Sequence, residues 1–343
     1  MDDVLDPVAA LREVAYLLER SSASSYRVRA FRNAADVVAS LTPQERAAVD
    51  AAGSWADLPG LGRRTAGIVA EAMAGRIPAY LTGLRSQQRP LAVGGDTIRA
   101  VLRGDLHTHT DWSDGTVPLP EMVAAAARLG HDYLAVTDHS PRLRVARGLS
   151  AERLAGQIEA IAEVNRRSEG IRVLTGVEVD ILADGRLDQS AAMLARVDVV
   201  VASVHSQLRM DAETMTRRMV AAVANPHVDV LGHCTGRLIA GERGLRPQSL
   251  FEAEVVFEAC RVFDVAVEIN ARPERLDPPD DLLRLAADLG CVFAINTDAH
   301  APGQLEFLDY GAARAEAAGI APERIVTTWT AERLLSWTGN RAP

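Results

Sequence analysis

Lysine is absent from the 343 residues; all 37 basic side chains are arginine. That excludes Schiff-base chemistry and any phosphate loop built on a lysine. It leaves phosphate recognition by the bidentate fork of arginine open. Cysteine is scarce as well: Cys234, Cys260 and Cys291 form an odd set with no CxxC spacing. This argues against a disulfide framework and for a reducing, cytoplasmic setting. No apolar run approaches the roughly 18 residues of a membrane span, so no membrane partner is expected. The opening MDDVLDP is acidic and lacks the basic-then-apolar pattern of a signal peptide.

The remaining composition is that of a globular protein, 48% hydrophobic and 24% charged. The charge is uneven. Residues 1–90 carry 11 arginines and 10 acids, whereas residues 91–343 carry 26 arginines and 36 acids. An acidic large part is a poor partner for nucleic acid, and divalent cations bound there would offset its charge.

Two parts are expected. The first, residues 5–85, reads as helical. VAALREVAYLLER places Val8, Leu11, Val14, Ala15 and Leu18 at helical spacing. YRVRAFRNAADVVASL gives a second helix that stops before Pro43, and LPGLGRRTAGIVAEAMAG gives a turn followed by a third. TGLRSQQRPLAVGGDT is polar, glycine-bearing and aperiodic, which predicts a linker over residues 86–100. From residue 101 to 343, short apolar runs alternate with amphipathic helices. The candidate strands are VLRGDL, YLAVTD, RVLTGV, DVVVAS, VDVLGH, VAVEIN and VFAIN. Strands alternating with helices imply parallel βα units, and seven such units fit a (β/α) barrel, for which ~250 residues is usual.

Potential metal ligands stand directly after these strands. They are His107, His109 and Asp114 in GDLHTHTDWSDG, His139 in VTDHS, Glu178 in TGVEVD, His205 in ASVHS, His233 in LGHC, and Asp298 and His300 in INTDAH. Six of the eight histidines fall in these clusters. The C-terminal ends of parallel strands converge on one mouth of a barrel. Imidazoles and carboxylates meeting there make a polynuclear site for divalent metals. His107 and His109 alternate by two along a strand end, so both can point into the mouth. Asp138, beside His139, reads as a supporting residue. His131 and His227 fall in turns outside the pattern and read as surface residues.

This constellation resembles the PHP (polymerase and histidinol phosphatase) family from about Arg103 onward. The resemblance implies an α/β fold, a distorted (β/α)7 TIM-like barrel holding up to three metals. In that arrangement His107, His109, Glu178 and Asp298 would hold the first. Glu178 would bridge to a second held by His205 and His233, and Asp114, His139 and His300 would hold the third. The acid at Asp114 is similar to the branch attached to bacterial family X DNA polymerases, whereas Cys234 stands where those relatives commonly have proline. Mixed imidazole and carboxylate ligands suit Mn²⁺, Zn²⁺ and Fe²⁺. The implied reaction is phosphoester hydrolysis by activated water, with Glu178 and His205 at the reacting centre and no protein nucleophile. Arg237 in GHCTGR is the expected phosphate clamp. Arg147, Asn270 and Arg275 are expected substrate contacts from other loops of the mouth.

LPGLGRRTAGIVAEA resembles a helix-hairpin-helix motif, which implies a small all-α DNA-binding domain. Gly60 and Gly62 would let the backbone approach closely. The helix N-terminus at Thr65, with Arg63 and Arg64, would meet a DNA phosphate. The surrounding residues resemble the N-terminal domain of family X DNA polymerases. Only the 15 residues of the expected linker separate the two parts, too few for a polymerase core, and the lyase chemistry of some relatives needs a lysine. The sequence therefore points to a metal-dependent phosphoesterase acting on DNA, a 3′–5′ exonuclease or 3′-end phosphodiesterase with an abasic-site endonuclease activity and no polymerase activity. The alternative is a small-molecule phosphatase of the histidinol-phosphatase type; a DNA-binding module with a vestigial barrel is a third reading.

Overall fold

The computed structural model describes residues 6–242 and 244–339. Leu5, where the helical part was expected to begin, and the acidic residues before it lie outside the described residues. The chain divides into two compact units between Pro90 and Leu91.

The first unit holds five helices: α1 (Pro7–Arg20), α2 (Ser25–Ser40), α3 (Pro43–Ala52), α4 (Arg63–Met73) and α5 (Ala79–Gln87). Asp6 caps α1 by accepting from the Val8 and Ala9 amides. Leu11, Val14, Ala15 and Leu18 form its buried stripe and share a core with Phe31 and Val38 of α2 and Ile68 and Val69 of α4. A buried ion pair adds to this seam, with Arg32 Nε 2.9 Å from Glu19 Oε1. Proline at the first position of α3 begins that helix rather than only ending α2, and Thr42 and Glu45 close a capping box on it. The polar stretch read as linker is helical up to Gln87. Leu81 and Leu84 are buried three residues apart, and Arg85 grips Glu13 through two bonds of 2.6 and 2.7 Å.

The turn before α4 follows from its sequence. The Leu61 amide donates to the Leu58 carbonyl at 3.1 Å, with proline at the second position and Gly60 at φ 94° at the third. A type II turn needs glycine there. Thr65 does not stand free: its Oγ1 accepts the Gly62 amide at 2.9 Å, so the threonine fastens the hairpin to the first turn of α4.

The second unit begins with α6 (Asp96–Arg99), inside the stretch expected to be a linker. It is part of the barrel unit because Ile98 is buried and Arg99 pairs with Asp309 at 3.0 Å. Gly95 lies so close to the Ala313 backbone that a Cβ would come within 2.4 Å of its nitrogen. Seven strands follow: β1 (Gly104–Asp105), β2 (Tyr133–Val136), β3 (Arg172–Asp180), β4 (Val199–Ser203), β5 (Val230–Leu231), β6 (Ala266–Asn270) and β7 (Phe293–Asn296). All neighbours pair in parallel and in chain order. Helices α7 (Leu119–Arg128), α8 (Ala151–Arg167), α9 (Ala191–Leu194), α10 (Ala212–Val223), α11 (Ala253–Val262), α12 (Asp280–Asp288) and α13 (Leu308–Ala317) alternate with or follow the strands, and α14 (Ala331–Gly339) comes last. Strands covered on both faces carry continuous apolar runs, as VVVAS of β4 does. Among the described residues, no helix is long and apolar enough to cross a membrane.

The first and last strands do not form a ladder. At their N-terminal side the turn Val326–Thr328 lodges between them, its Thr327 carbonyl accepting the Arg103 amide at 2.9 Å and its hydroxyl accepting the Ile295 amide at 3.2 Å. At the C-terminal side a single parallel bridge, Thr108 with Ala299, joins the two edges.

His131 departs from the surface position expected of it. It is 3% exposed, and neither ring nitrogen has a hydrogen-bond partner among the described residues. Burial, with Arg99 nearby, pushes its pKa down to about 4. The folded value lies below the unfolded one of about 6.5, so the neutral ring stabilises the fold fully above pH ~6.5 and that contribution fades as pH falls toward 4. The expected loss over that range is about 3 kcal/mol. Urea unfolding of the metal-free protein and of His131→Leu, at pH 7 and pH 4.5, should show the parent losing more stability than the variant; parallel losses would dismiss this account.

Candidate metal centre

The ligand residues reach the mouth because each sits at, or just beyond, the C-terminal end of a strand. Glu178 is at its centre. It is 1% exposed, and its two oxygens are approached from several strand ends. His233 Nε2 lies 2.9 Å and His205 Nε2 3.2 Å from Oε1. His139 Nδ1 lies 2.7 Å, His107 Nε2 3.4 Å and His109 Nε2 3.7 Å from Oε2. Asp298 Oδ1 stands 3.3 Å from His109 Nε2. Asp114 Oδ1 stands 3.4 Å from both His139 Nε2 and His300 Nε2.

These atoms gather into overlapping groups able to hold a metal ion: His107, His109 and Asp298; His107, Glu178 and His233; His139, Glu178 and His205; and His109, Asp114, His139 and His300. All nine expected ligands are therefore brought together. The grouping differs from expectation in that His109 also approaches the Asp114 set and His139 also approaches Glu178.

The donor set fits divalent cations. His107 Nε2, His109 Nε2 and Glu178 Oε2 are buried and have no hydrogen-bond partner among the described residues, a costly state unless a cation meets them. The tautomers suit this. His107 Nδ1 lies 2.7 Å from Glu268 Oε1, so its proton goes to Glu268 and the Nε2 lone pair faces the centre. His300 Nδ1 lies 2.9 Å from both the Asp298 carbonyl and Arg272 Nη1.

The titration behaviour has the same origin. Burial alone would raise the Glu178 carboxyl, but His205, His107 and His139 outweigh it and hold it well below the usual range. Burial would lower His107, but Glu268, Glu178 and Asp298 outweigh that and raise it. The cage thus demands positive charge, from a proton on His107 or from a metal. His109 goes the other way: burial, His300 and His139 push it down to about 3, leaving its lone pair available. Burial, with Asp277 close by, raises the Cys234 thiol well above its ordinary value, in keeping with a cysteine that is not a nucleophile.

The arginines are disposed differently from expectation. Arg237 does not face the cavity over the ligands; its Nε donates to the Arg275 carbonyl at 2.9 Å and its terminal nitrogen to the Leu276 carbonyl. Two carbonyls beside its own loop thus take up its Nε and one terminal nitrogen. Arg147 donates to the carbonyls of Ser113 and Asp111 and so braces the loop that carries Asp114. Asn270 is fully buried and donates to Glu268 at 3.1 Å and Asp298 at 3.3 Å, so its amide orients these carboxylates. Arg275 does line the cavity, as does Arg246. Arg275 is 5% exposed, and its Nη1 has no hydrogen-bond partner among the described residues.

Several supporting residues escaped the sequence reading. Glu268 is fully buried and receives His107, the His233 amide at 2.6 Å and Asn296 at 2.9 Å. Its signal was a lone carboxylate inside the apolar run VAVEIN. Asp105 accepts the His107 amide at 3.0 Å and bonds Thr297 across the seam. Asp138, read as supporting, accepts from Thr110, Ser113 and Gln157 and shapes the loop between His109 and Asp114.

Comparison with known proteins agrees with this geometry. The PHP domain model matches residues 105–271. Residues 105–271 are a PHP domain. The chain is homologous to the DNA polymerase/3′-5′ exonuclease PolX of Bacillus subtilis, with 38% identity over 68% of this chain and 40% of that protein. A probable phosphatase of Caldanaerobacter subterraneus subsp. tengcongensis is 29% identical over 59% of this chain and 77% of its own length. A crystal structure of histidinol phosphate phosphatase from Lactococcus lactis, complexed with Zn, L-histidinol and phosphate, superposes with a TM-score of 0.44 at 18% identity, covering 64% of this chain and 95% of that one. Seven of the nine cage residues fall within the matched stretch, Asp298 and His300 lie beyond it, and the chain spans less than half of the PolX relative.

Proposed function

We propose that this protein hydrolyses phosphodiester bonds of DNA, working from a 3′ end, with the PHP domain cutting and the helical unit holding the backbone. At the coarser level the PHP domain is a metal-dependent phosphoester hydrolase. The observation that carries this is Glu178, one buried carboxylate faced by five histidines. His107, His109, Glu178 and Asp298 would hold one ion, Glu178, His205 and His233 a second, and Asp114, His139 and His300 a third; Mn²⁺, Zn²⁺ and Fe²⁺ suit these donors. Ions held there supply charge to the nonbridging oxygens and acidify the attacking water.

The chain's own residues do the rest. Glu268 fixes the His107 tautomer. Arg275 replaces Arg237 as the phosphate contact, because its buried guanidinium faces the cavity with a nitrogen to spare. The DNA assignment draws on the PolX relative and on the hairpin Leu58–Gly62. There the first amides of α4 have no intrahelical acceptor, and Arg63 and Arg64 add charge.

The small-molecule alternative draws on the phosphatase relatives, which match over most of their own length. A 5′-labelled oligonucleotide and a small phosphomonoester, each supplied with Mn²⁺, separate the two. The DNA reading expects the oligonucleotide to be shortened with the larger kcat/KM; preference for the monoester overturns it. Gly62 allows a finer test. A Cβ there meets nothing within 4 Å, so Gly62→Leu should fold yet block close approach of DNA. DNA affinity is expected to fall about tenfold, with a shallower dependence on salt, while hydrolysis of nitrophenyl phosphate stays at the parent rate. Equal DNA binding by the variant across salt would remove the hairpin from the proposal.

A further inference from the structure

A second cavity of about 630 Å³ adjoins the metal cavity, and Arg246 lines both. Its walls come from two loops that leave the metal site directly. One follows His205 and supplies Gln207, Leu208 and Met210; the other, downstream of His233, supplies Pro247, Gln248 and Leu250. The groove is held open by the chain itself. Ser249 Oγ donates to the Leu208 carbonyl at 2.9 Å, the Ser249 amide to the Thr235 carbonyl at 2.8 Å, and Arg246 Nε to the Gly236 carbonyl at 2.6 Å. Gln207 is held at φ 52°, a left-handed conformation that a non-glycine residue rarely adopts outside constrained sites.

The lining has a particular chemistry. Leu208, Met210, Pro247 and Leu250 give apolar walls, and Leu250 is 62% exposed. Gln207 and Gln248 are both exposed. Each carries a donor and an acceptor in one amide, and among the described residues neither side-chain amide is hydrogen-bonded. Apolar faces for a flat ring and amides for its edge are what a nucleobase requires. The size lies in the range of small-ligand pockets.

We propose that this groove binds the nucleobase of the nucleotide whose phosphate lies at the metal cluster, with Arg246 bridging base pocket and phosphate. The proposal rests on the phosphoesterase reading above and extends it to the part of the substrate that is recognised. The base would be held without a sequence code, since amides can rotate to suit any edge.

Titration calorimetry of the Mn²⁺-loaded protein tests this without needing turnover. The probes are deoxyadenosine 5′-phosphate and deoxyribose 5-phosphate, which differ in the base alone. The parent is expected to bind the nucleotide at least tenfold tighter. Leu250→Asp and Gln248→Ala, both at exposed positions outside the metal cage, should close that gap while binding deoxyribose phosphate as the parent does. Equal affinity of the parent for the two probes, or a gap untouched in both variants, overturns the groove assignment. Oligonucleotide cleavage by the same preparations is read separately. A retained base preference without cleavage would sink the DNA reading and leave the groove standing.

Discussion

Glu178→Gln is expected to reduce phosphoester hydrolysis by at least about a thousandfold. The change keeps the size of the side chain and removes its charge and one acceptor oxygen. Both oxygens are in use: His205 and His233 approach one, His139, His107 and His109 the other. An amide there turns an NH₂ group toward a cation, which repels it, or toward imidazole lone pairs, which it would occupy in place of the cation. Metal analysis supplies the independent reading. The nine ligands lead us to expect close to three ions per chain in the parent, and the loss of Glu178 should lower that number, because two of the proposed sites share it. Parent-like activity or an unchanged metal content in Glu178→Gln would disprove the shared-carboxylate arrangement.

Arg275→Ala is expected to lower kcat/KM by about a hundredfold, chiefly as a rise in KM, because a charged contact to the phosphate is lost from a water-poor site. Arg275 Nε also lies 3.3 Å from Asp298 Oδ2, so a purely structural role must be separated from a binding one. Arg275→Lys keeps the charge beside Asp298 but loses the planar fork. It should restore thermal stability and metal content and still bind substrate weakly. Arg237→Ala is the contrast: its guanidinium is bound to carbonyls, so it should change stability more than KM. A larger KM effect at Arg237 than at Arg275 would reverse the assignment.

The barrel was legible because its strands are short apolar runs, six of the seven leading into a histidine or an acid, with VAVEIN the exception. INTDAH and GDLHTHT announce the strand end and the ligand together. What the sequence hid were contacts made sideways at the mouth. Glu268 looks like any residue of a strand until its neighbours are known, and Asn270 two residues on reads equally well as a substrate contact or a strut. The directions of the arginines were hidden for the same reason: Arg275 lines the cavity, while Arg237 and Arg147 reach backbone carbonyls. A long side chain near the mouth can turn to solvent, substrate or backbone, and only the loop geometry decides. Polar composition concealed α5, since two buried leucines suffice to dock a short helix. Turn position misplaced His131, because a residue in a turn can still be buried, as its 3% exposure shows.

The seam between β1 and β7 has one more consequence. His107 and His109 belong to the first edge and Asp298 and His300 to the last, so side chains from both edges would hold a shared ion where no backbone ladder joins them. A bound ion would then serve as a clasp for the barrel as well as a reagent. Stripping the ions would slacken the first and last strands together, and a chelated sample would lose part of its architecture along with its chemistry.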